Sequence, residues 1–230
     1  MTIYITLYIF IILVYWLTSR FVLQVGKSNR IYIHNRSKTT LKNNKWFVIL
    51  STSAIILVVG LRSKEMGIDL EGYLDSFETI RRMSWKKVLW LESFKNYEKG
   101  YVLLNKLLSM LSQDSQILIF FCALASIAPV GYLIYKNSQN ALLSIFIYLG
   151  LPVFLITFSG LRQALGIGIT LIAYQYLTRK KLIPFVLFVL FASFFHSSAI
   201  VFLIAYPIYY FKKSRFISWI SIIMLGFIFF

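Results

Sequence analysis

Acids, cysteine and histidine are the scarce residues of this chain: its 230 positions include 8 Asp+Glu, 1 Cys and 2 His. A lone cysteine, Cys122, closes no intramolecular disulfide and lacks the company a zinc site needs, so a disulfide-stapled secreted module is excluded. Charged residues make up 14% of the chain, against roughly 25% in a soluble domain. Hydrophobic residues make up 59%, against about 45–50%, and the mean hydropathy is +0.74. That balance excludes a soluble domain and a disordered chain. A Gly-rich phosphate loop, a metal-ligand cluster and a Ser-His-Asp order are also missing, so neither a cofactor nor a metal is expected. What the chain has instead is apolar runs and basic connectors, the pattern of an all-α integral membrane protein.

A helix that crosses a hydrocarbon core of about 30 Å needs roughly 20 residues. The runs that qualify or nearly qualify are 2–17, 46–61 and 116–135. The first has no basic region ahead of it and no small-residue cleavage site behind it, so it reads as a retained span rather than a signal peptide. The run 141–177 is about 55 Å long as a single helix and must be divided. Gly150-Leu151-Pro152 and Ser159-Gly160-Leu161-Arg162-Gln163 are the natural breaks, giving spans 141–158 and 164–177. The run 182–211 carries His196-Ser197-Ser198 in its middle and is too long for one crossing and short for two.

Basic residues decide that case, because cytoplasmic loops collect Lys and Arg. Arg179-Lys180-Lys181 and Lys212-Lys213-Ser214-Arg215 flank the run, so both should lie inside, with spans 182–195 and 199–211 turning outside at His196. The same alternation puts 27–45 and Lys136 inside and puts the N-terminus, 62–115 and Arg162 outside. An eighth run, 216–230, ends without a polar anchor, so the chain reads as a piece of a longer protein, incomplete at its C-terminus. The whole is a single polytopic domain of about eight spans. The formal net charge of +16 then records topology rather than a nucleic-acid partner.

All eight acids (Glu65, Asp69, Glu71, Asp75, Glu78, Glu92, Glu98 and Asp114) fall in the segment 62–115. Within it Leu70, Tyr73, Leu74, Phe77 and Ile80 recur at helical spacing behind Asp69, which is placed to cap that helix. Tyr101, Leu104, Leu107, Leu108 and Leu111 repeat the pattern, with Trp85 and Trp90 between. The spacing predicts two amphipathic helices lying apolar face down on the outer membrane surface. No acid lies inside a predicted span, which argues against an ion-coupled transporter.

Four places combine polarity with the outer surface: Arg62 through Gly67, Asp69, Tyr73 and Phe77; Glu98-Lys99-Gly100-Tyr101; Ser159-Gly160-Leu161-Arg162-Gln163-Ala164; and Phe195-His196-Ser197-Ser198-Ala199. Their order resembles that of the EpsG-like family of Wzy-type polysaccharide polymerases. That family has an Arg, a Gly-Thr-Asp, a Tyr and Phe four apart, a Glu-x-Gly-Tyr, an Arg-Gln opening a later span, and a His before a small residue. Ile68 stands here where Thr is usual.

The resemblance implies a bacterial multi-pass membrane enzyme of glycosyltransferase type, making capsule, exopolysaccharide or O-antigen. Its active face is extracytoplasmic, and its substrate is an oligosaccharide repeat on polyprenyl pyrophosphate. A chain-length regulator and a flippase are the implied partners besides the lipid bilayer. Such chemistry needs no soluble cofactor, because the donor carries its own pyrophosphate leaving group. A fixed guanidinium can stabilise the charge that gathers on it, with Arg162 the first candidate and Arg62 the second. A base would help the acceptor hydroxyl, and Asp69, Glu98 and His196 are the available groups. Gln163, Tyr73 and Tyr101 are candidates for substrate contact. The rivals are a lipid-linked oligosaccharide flippase and an outer-face glycan ligase.

Overall fold

Apolar runs fold into helices here, and among the described residues no strand forms. The computed structural model describes residues 2–27, 36–90 and 94–210, with side chains at 5–19, 45–90 and 94–210. The expected span 216–230, the cluster Lys212, Lys213 and Arg215, and Glu92 lie outside the described residues. Helix α1 covers Thr2–Lys27 and α2 covers Arg36–Gly60, both longer than their apolar runs. The acidic segment yields α3 (Leu70–Arg82), a short α4 (Trp85–Trp90) and α5 (Lys99–Leu111). Then come α6 (Gln116–Asn137), α7 (Ala141–Gly150), α8 (Pro152–Ser159), α9 (Leu161–Thr178) and α10 (Leu182–Ser193). A 3₁₀ helix, Ser197–Ile204, runs into α11 (Ala205–Tyr210).

Among the described residues α6 is the helix that is long and apolar enough to cross a membrane by itself. Helices α7 and α8 meet that measure together, but they are bent by 58° at Leu151, where Pro152 opens the second helix. The other apolar stretches, Ile5–Ser19, Lys45–Gly60, Leu182–Ser193 and Ser197–Tyr210, are shorter. So the bend falls at the expected Gly150-Leu151-Pro152, while among the described residues one helix, or two if the bent pair is one span, has the length and apolarity of a crossing, against about eight expected spans.

Helix α6 is the centre of the bundle, with α2 on one side and α9 on the other; α10 packs against α9, and α1 against α2. Small residues make these approaches close, as in many membrane bundles. A β-carbon on Gly131 would meet Thr52 Oγ1 at 2.5 Å, and one on Gly168 would meet the Ala125 carbonyl at 2.4 Å. That carbonyl is the one that Pro129, four residues on and without an N–H, cannot engage. Helix α9 thus lies on α6 where the latter's own ladder is interrupted.

The turn between α9 and α10 is tight, with Lys180 in the left-handed region (φ 57°) and Lys181 N–H returning to the Tyr176 carbonyl at 2.9 Å. At the other end the chain reverses after α10 and comes back along it. Tyr206 packs on Phe185 and donates to the Lys180 carbonyl at 3.3 Å. The expected reversal at His196 is therefore present, although the returning segment starts as 3₁₀ rather than α-helix.

The amphipathic helices α3 and α5 form as expected, but much of their apolar surface packs into the bundle, while Leu107, Met110 and Leu111 at the end of α5 stay exposed. Leu70, Tyr73, Phe77, Tyr101 and Leu108 are buried with Leu118, Ile119 and Cys122 of α6 and Leu161 and Leu165 of α9. Bundle side chains and lipid tails are equally apolar, so the helical pattern alone does not choose between them. Lys106 ties the pair together: its ammonium, nearly buried, donates to the carbonyls of Arg81 and Met83 at the end of α3. A cation there satisfies carbonyls that the helix leaves unpaired.

Candidate functional site

The antiparallel pairing of α9 and α10 brings the first turn of α9 and the loop after α10 to one end of the bundle. Arg162 belongs to the first, His196 to the second. The N-terminus of α5 docks against that loop through Gly100, whose N–H donates to the Phe194 carbonyl at 2.9 Å. A β-carbon on Gly100 would lie 2.4 Å from that same oxygen, so glycine is what the approach allows. Tyr101 follows and is wholly buried, ringed by Tyr73 and Tyr97 at 5.7 and 5.4 Å between ring centres. The docking sets Glu98, which precedes α5, between the other two segments.

One Glu98 oxygen accepts from Arg162 Nη1 at 2.5 Å. The other accepts from the Ser197 backbone N–H at 2.9 Å and lies 3.5 Å from His196 Nδ1. The pair is shielded, with 21% of the Arg162 side chain and 16% of Glu98 exposed. The guanidinium also donates to the Asn96 carbonyl at 3.2 Å and sits over the Tyr97 ring, 4.5 Å from its centre. Cation–π attraction of this kind fixes a guanidinium's plane as well as its position. Gly166, one turn into α9, leaves room for His196, whose β-carbon a methyl there would approach to 3.1 Å.

Burial works to raise the Glu98 carboxyl, but the Ser197 N–H, its own N–H and Arg162 outweigh it and hold the group below its ordinary value. Glu98 is therefore a carboxylate throughout the neutral range. Burial pushes the Tyr73 phenol up, with the guanidinium of Arg162 beside it pulling the other way. Two polar atoms of the cluster, Arg162 Nε and His196 Nδ1, are buried without a hydrogen bond. His196 Nδ1 faces the Glu98 carboxylate, which leaves Arg162 Nε as the unfilled donor of the cluster.

Of the sequence candidates, Glu98, Arg162 and His196 come together, with Tyr73 at their edge. Arg62 is only 6% exposed, and its guanidinium donates to the carbonyls of Val59 (2.8 Å), Met66 (3.1 Å) and Phe158 (2.9 Å). Those bonds fasten the end of α2 to the end of α8, a clamping role that the sequence did not disclose. Gly67, at φ 149°, lies against the same Phe158 carbonyl. Asp69 precedes α3 as expected but makes no capping bond, and it is exposed. Gln163 is exposed as well, its side chain beside Gly160. Tyr101, expected to touch substrate, has no surface with which to do so; its ring fills the core under the site. The sequence reading missed Tyr97 and the carbonyl of Asn96. Lys95 and Asn96 are both at positive φ, and Asn is a residue that tolerates that turn, which was the available signal.

The docking can be tested by itself. Gly100→Ala is expected to push α5 off the Phe194 carbonyl and cost about 1–3 kcal/mol, the usual range for an overpacked site. A thermal unfolding midpoint equal to that of the unaltered chain would show that the contact is not needed.

No curated protein and no solved structure matches the chain. A family model does match it, over residues 45–230, which takes in α3, α5, α9 and the whole cluster; the chain belongs to the EpsG family.

Proposed function

We propose that this membrane protein polymerises oligosaccharide repeats carried on polyprenyl pyrophosphate, working at the outer face of a bacterial cell membrane. The observation that carries the proposal is the single carboxylate of Glu98 joined to Arg162 and to the Ser197 N–H, partners 64 and 99 residues away. Three of the motifs whose order marks the resemblance thus meet at one point. The charge pattern supports the sidedness, since at this end of the bundle the segment 62–115 offsets its basic residues with all eight acids, while the connectors 27–45 and 179–181 are basic only.

The division of labour follows from the geometry. An acceptor hydroxyl attacks the anomeric carbon of the donor's first sugar. A glycosidic C–O bond forms while the C–O bond to pyrophosphate breaks, and the electron pair leaves with the polyprenyl pyrophosphate. Arg162, held over Tyr97, faces the charge that builds on the leaving group. Both Glu98 oxygens are engaged, one by Arg162 and one by the Ser197 N–H, so it positions Arg162 and His196 rather than acting as base. His196 takes the hydroxyl proton on the ring nitrogen turned away from Glu98. Exposed Asp69 and Gln163 are then contacts for the sugars, and Tyr73 a neighbour of the guanidinium.

The size distribution of lipid-linked glycans, measured in cells lacking this gene and in cells with the chain restored, tests the proposal. Long polymer should disappear, single repeats should accumulate on the outer leaflet, and the restored chain should reverse both. Repeats trapped on the inner leaflet would mean transport instead, and polymer transferred intact but to the wrong acceptor would mean a ligase.

A further inference from the structure

A second feature lies across α9 from the cluster. Between α6, α8 and α9, beside the bend from α7 into α8, lies a partly open cavity of about 200 Å³. Helix α9 lines it with Ala164, Ile167 and Leu171, and α8 with Val153 and Thr157. Two of the hydroxyls in its wall are spent on their own helices, Ser126 donating to the Cys122 carbonyl at 2.7 Å and Thr157 to the Phe154 carbonyl at 2.6 Å; Tyr148 adds a third. Such a wall offers a ligand mainly dispersion contacts, with the Tyr148 phenol as its polar group.

Its position relates it to the site. Thr157 and Ala164 stand three and four residues either side of Gly160, so the cavity begins within one helical turn of the junction that carries Arg162. At 100° per residue the lining positions Ala164, Ile167 and Leu171 lie about 140–200° around α9 from Arg162, with Gln163 between them. Gln163, in the middle of that path, is exposed. From Ala164 to Leu171 the cavity descends about 10 Å along the helix. An amphiphile with its anion at Arg162 could pass over Gln163 and lower its chain into this space.

We infer that the cavity receives the first isoprene units of the polyprenyl chain of the lipid-linked substrate, next to the pyrophosphate. The inference rests on the polymerase reading. The chain leaves one apolar medium for another, so the gain is fit and orientation rather than hydrophobic transfer. It therefore appears as a preference in KM of about tenfold, equivalent to about 1.4 kcal/mol.

The test uses the full chain in lipid nanodiscs, with one glycan repeat carried on pyrophosphate bearing either a polyprenyl chain or a single isoprene unit. The unaltered chain should show the lower KM with the polyprenyl carrier. Ala164→Phe, which fills the cavity, should erase that preference while kcat with the single-isoprene carrier stays unchanged. If Ala164→Phe retains the preference, the inference fails and the polymerase reading stands. If the unaltered chain polymerises neither carrier, the polymerase reading itself fails. A polyprenyl carrier with a photoreactive group on its second isoprene makes the test independent of how the variant folds. Labelling should fall on α8 and α9 residues of the cavity; labelling confined to α1 or α10 overturns the inference. So does equal competition by a straight saturated alkyl pyrophosphate, which would make the cavity a site for bilayer acyl chains.

Discussion

Arg162→Ala is expected to abolish long polymer while leaving single lipid-linked repeats and the abundance of the protein close to normal. Removing one charge-stabilising donor from an active site lowers turnover by about 10²–10³-fold. The loss here should reach at least that size, because the guanidinium also carries a formal charge toward the leaving pyrophosphate. Its companion, Arg162→Lys, separates charge from shape. Lysine keeps the charge but cannot donate to Asn96, pair with Glu98 and lie over Tyr97 at once, so it should recover only a small part of the activity. Normal polymer from the alanine variant would remove Arg162 from the mechanism. A fall in protein level matching the fall in polymer would make it a structural residue, as Arg62 is.

The contrast between the two arginines shows how far the sequence could be read. Both follow an apolar run at the same expected face, and nothing local distinguishes them. What separates them is the end of α8: the Phe158 carbonyl, 96 residues from Arg62, takes one of its N–H groups. Helix α6 was legible nearly to the residue, expected over 116–135 and found as Gln116–Asn137, because its apolar run is long and uninterrupted. The bend at Leu151 was legible because Pro152 cannot continue a helix begun before it. The burial of α3 and of the first turns of α5 was not, since an apolar stripe is equally satisfied by lipid and by α6. The site was legible as a set of motifs but not as a meeting. Backbone groups complete it, the Ser197 N–H and the Asn96 carbonyl, and backbone carries no signature of its own in a sequence.

The second large effect is expected at Glu98. Glu98→Gln keeps the size of the side chain and an oxygen to accept from Ser197, but it leaves Arg162 without its counter-charge. Breaking a fully buried ion pair costs about 3–5 kcal/mol. This pair is partly exposed, which brings the expected loss of stability to about 2 kcal/mol. Activity should fall by roughly 10²-fold, the lower range for a misplaced acid–base partner, because His196 and Arg162 lose their common anchor together.

The pH dependence of that stability difference is fixed in sign. Glu98 titrates lower in the folded chain than its ordinary value, so its contribution is fully present above that ordinary value and is lost as pH falls through the folded one. Thermal unfolding of the unaltered chain and of Glu98→Gln should therefore differ by a constant amount through the neutral range. The two should converge only in acid below the usual carboxylate range. Convergence already near neutral pH would mean that Glu98 is not the charged partner of Arg162. A constant difference with undiminished polymer would confine the pair to holding the fold. Loss of polymer in both Arg162→Ala and Glu98→Gln, with no further loss when they are combined, is the outcome expected of two groups that act as one unit.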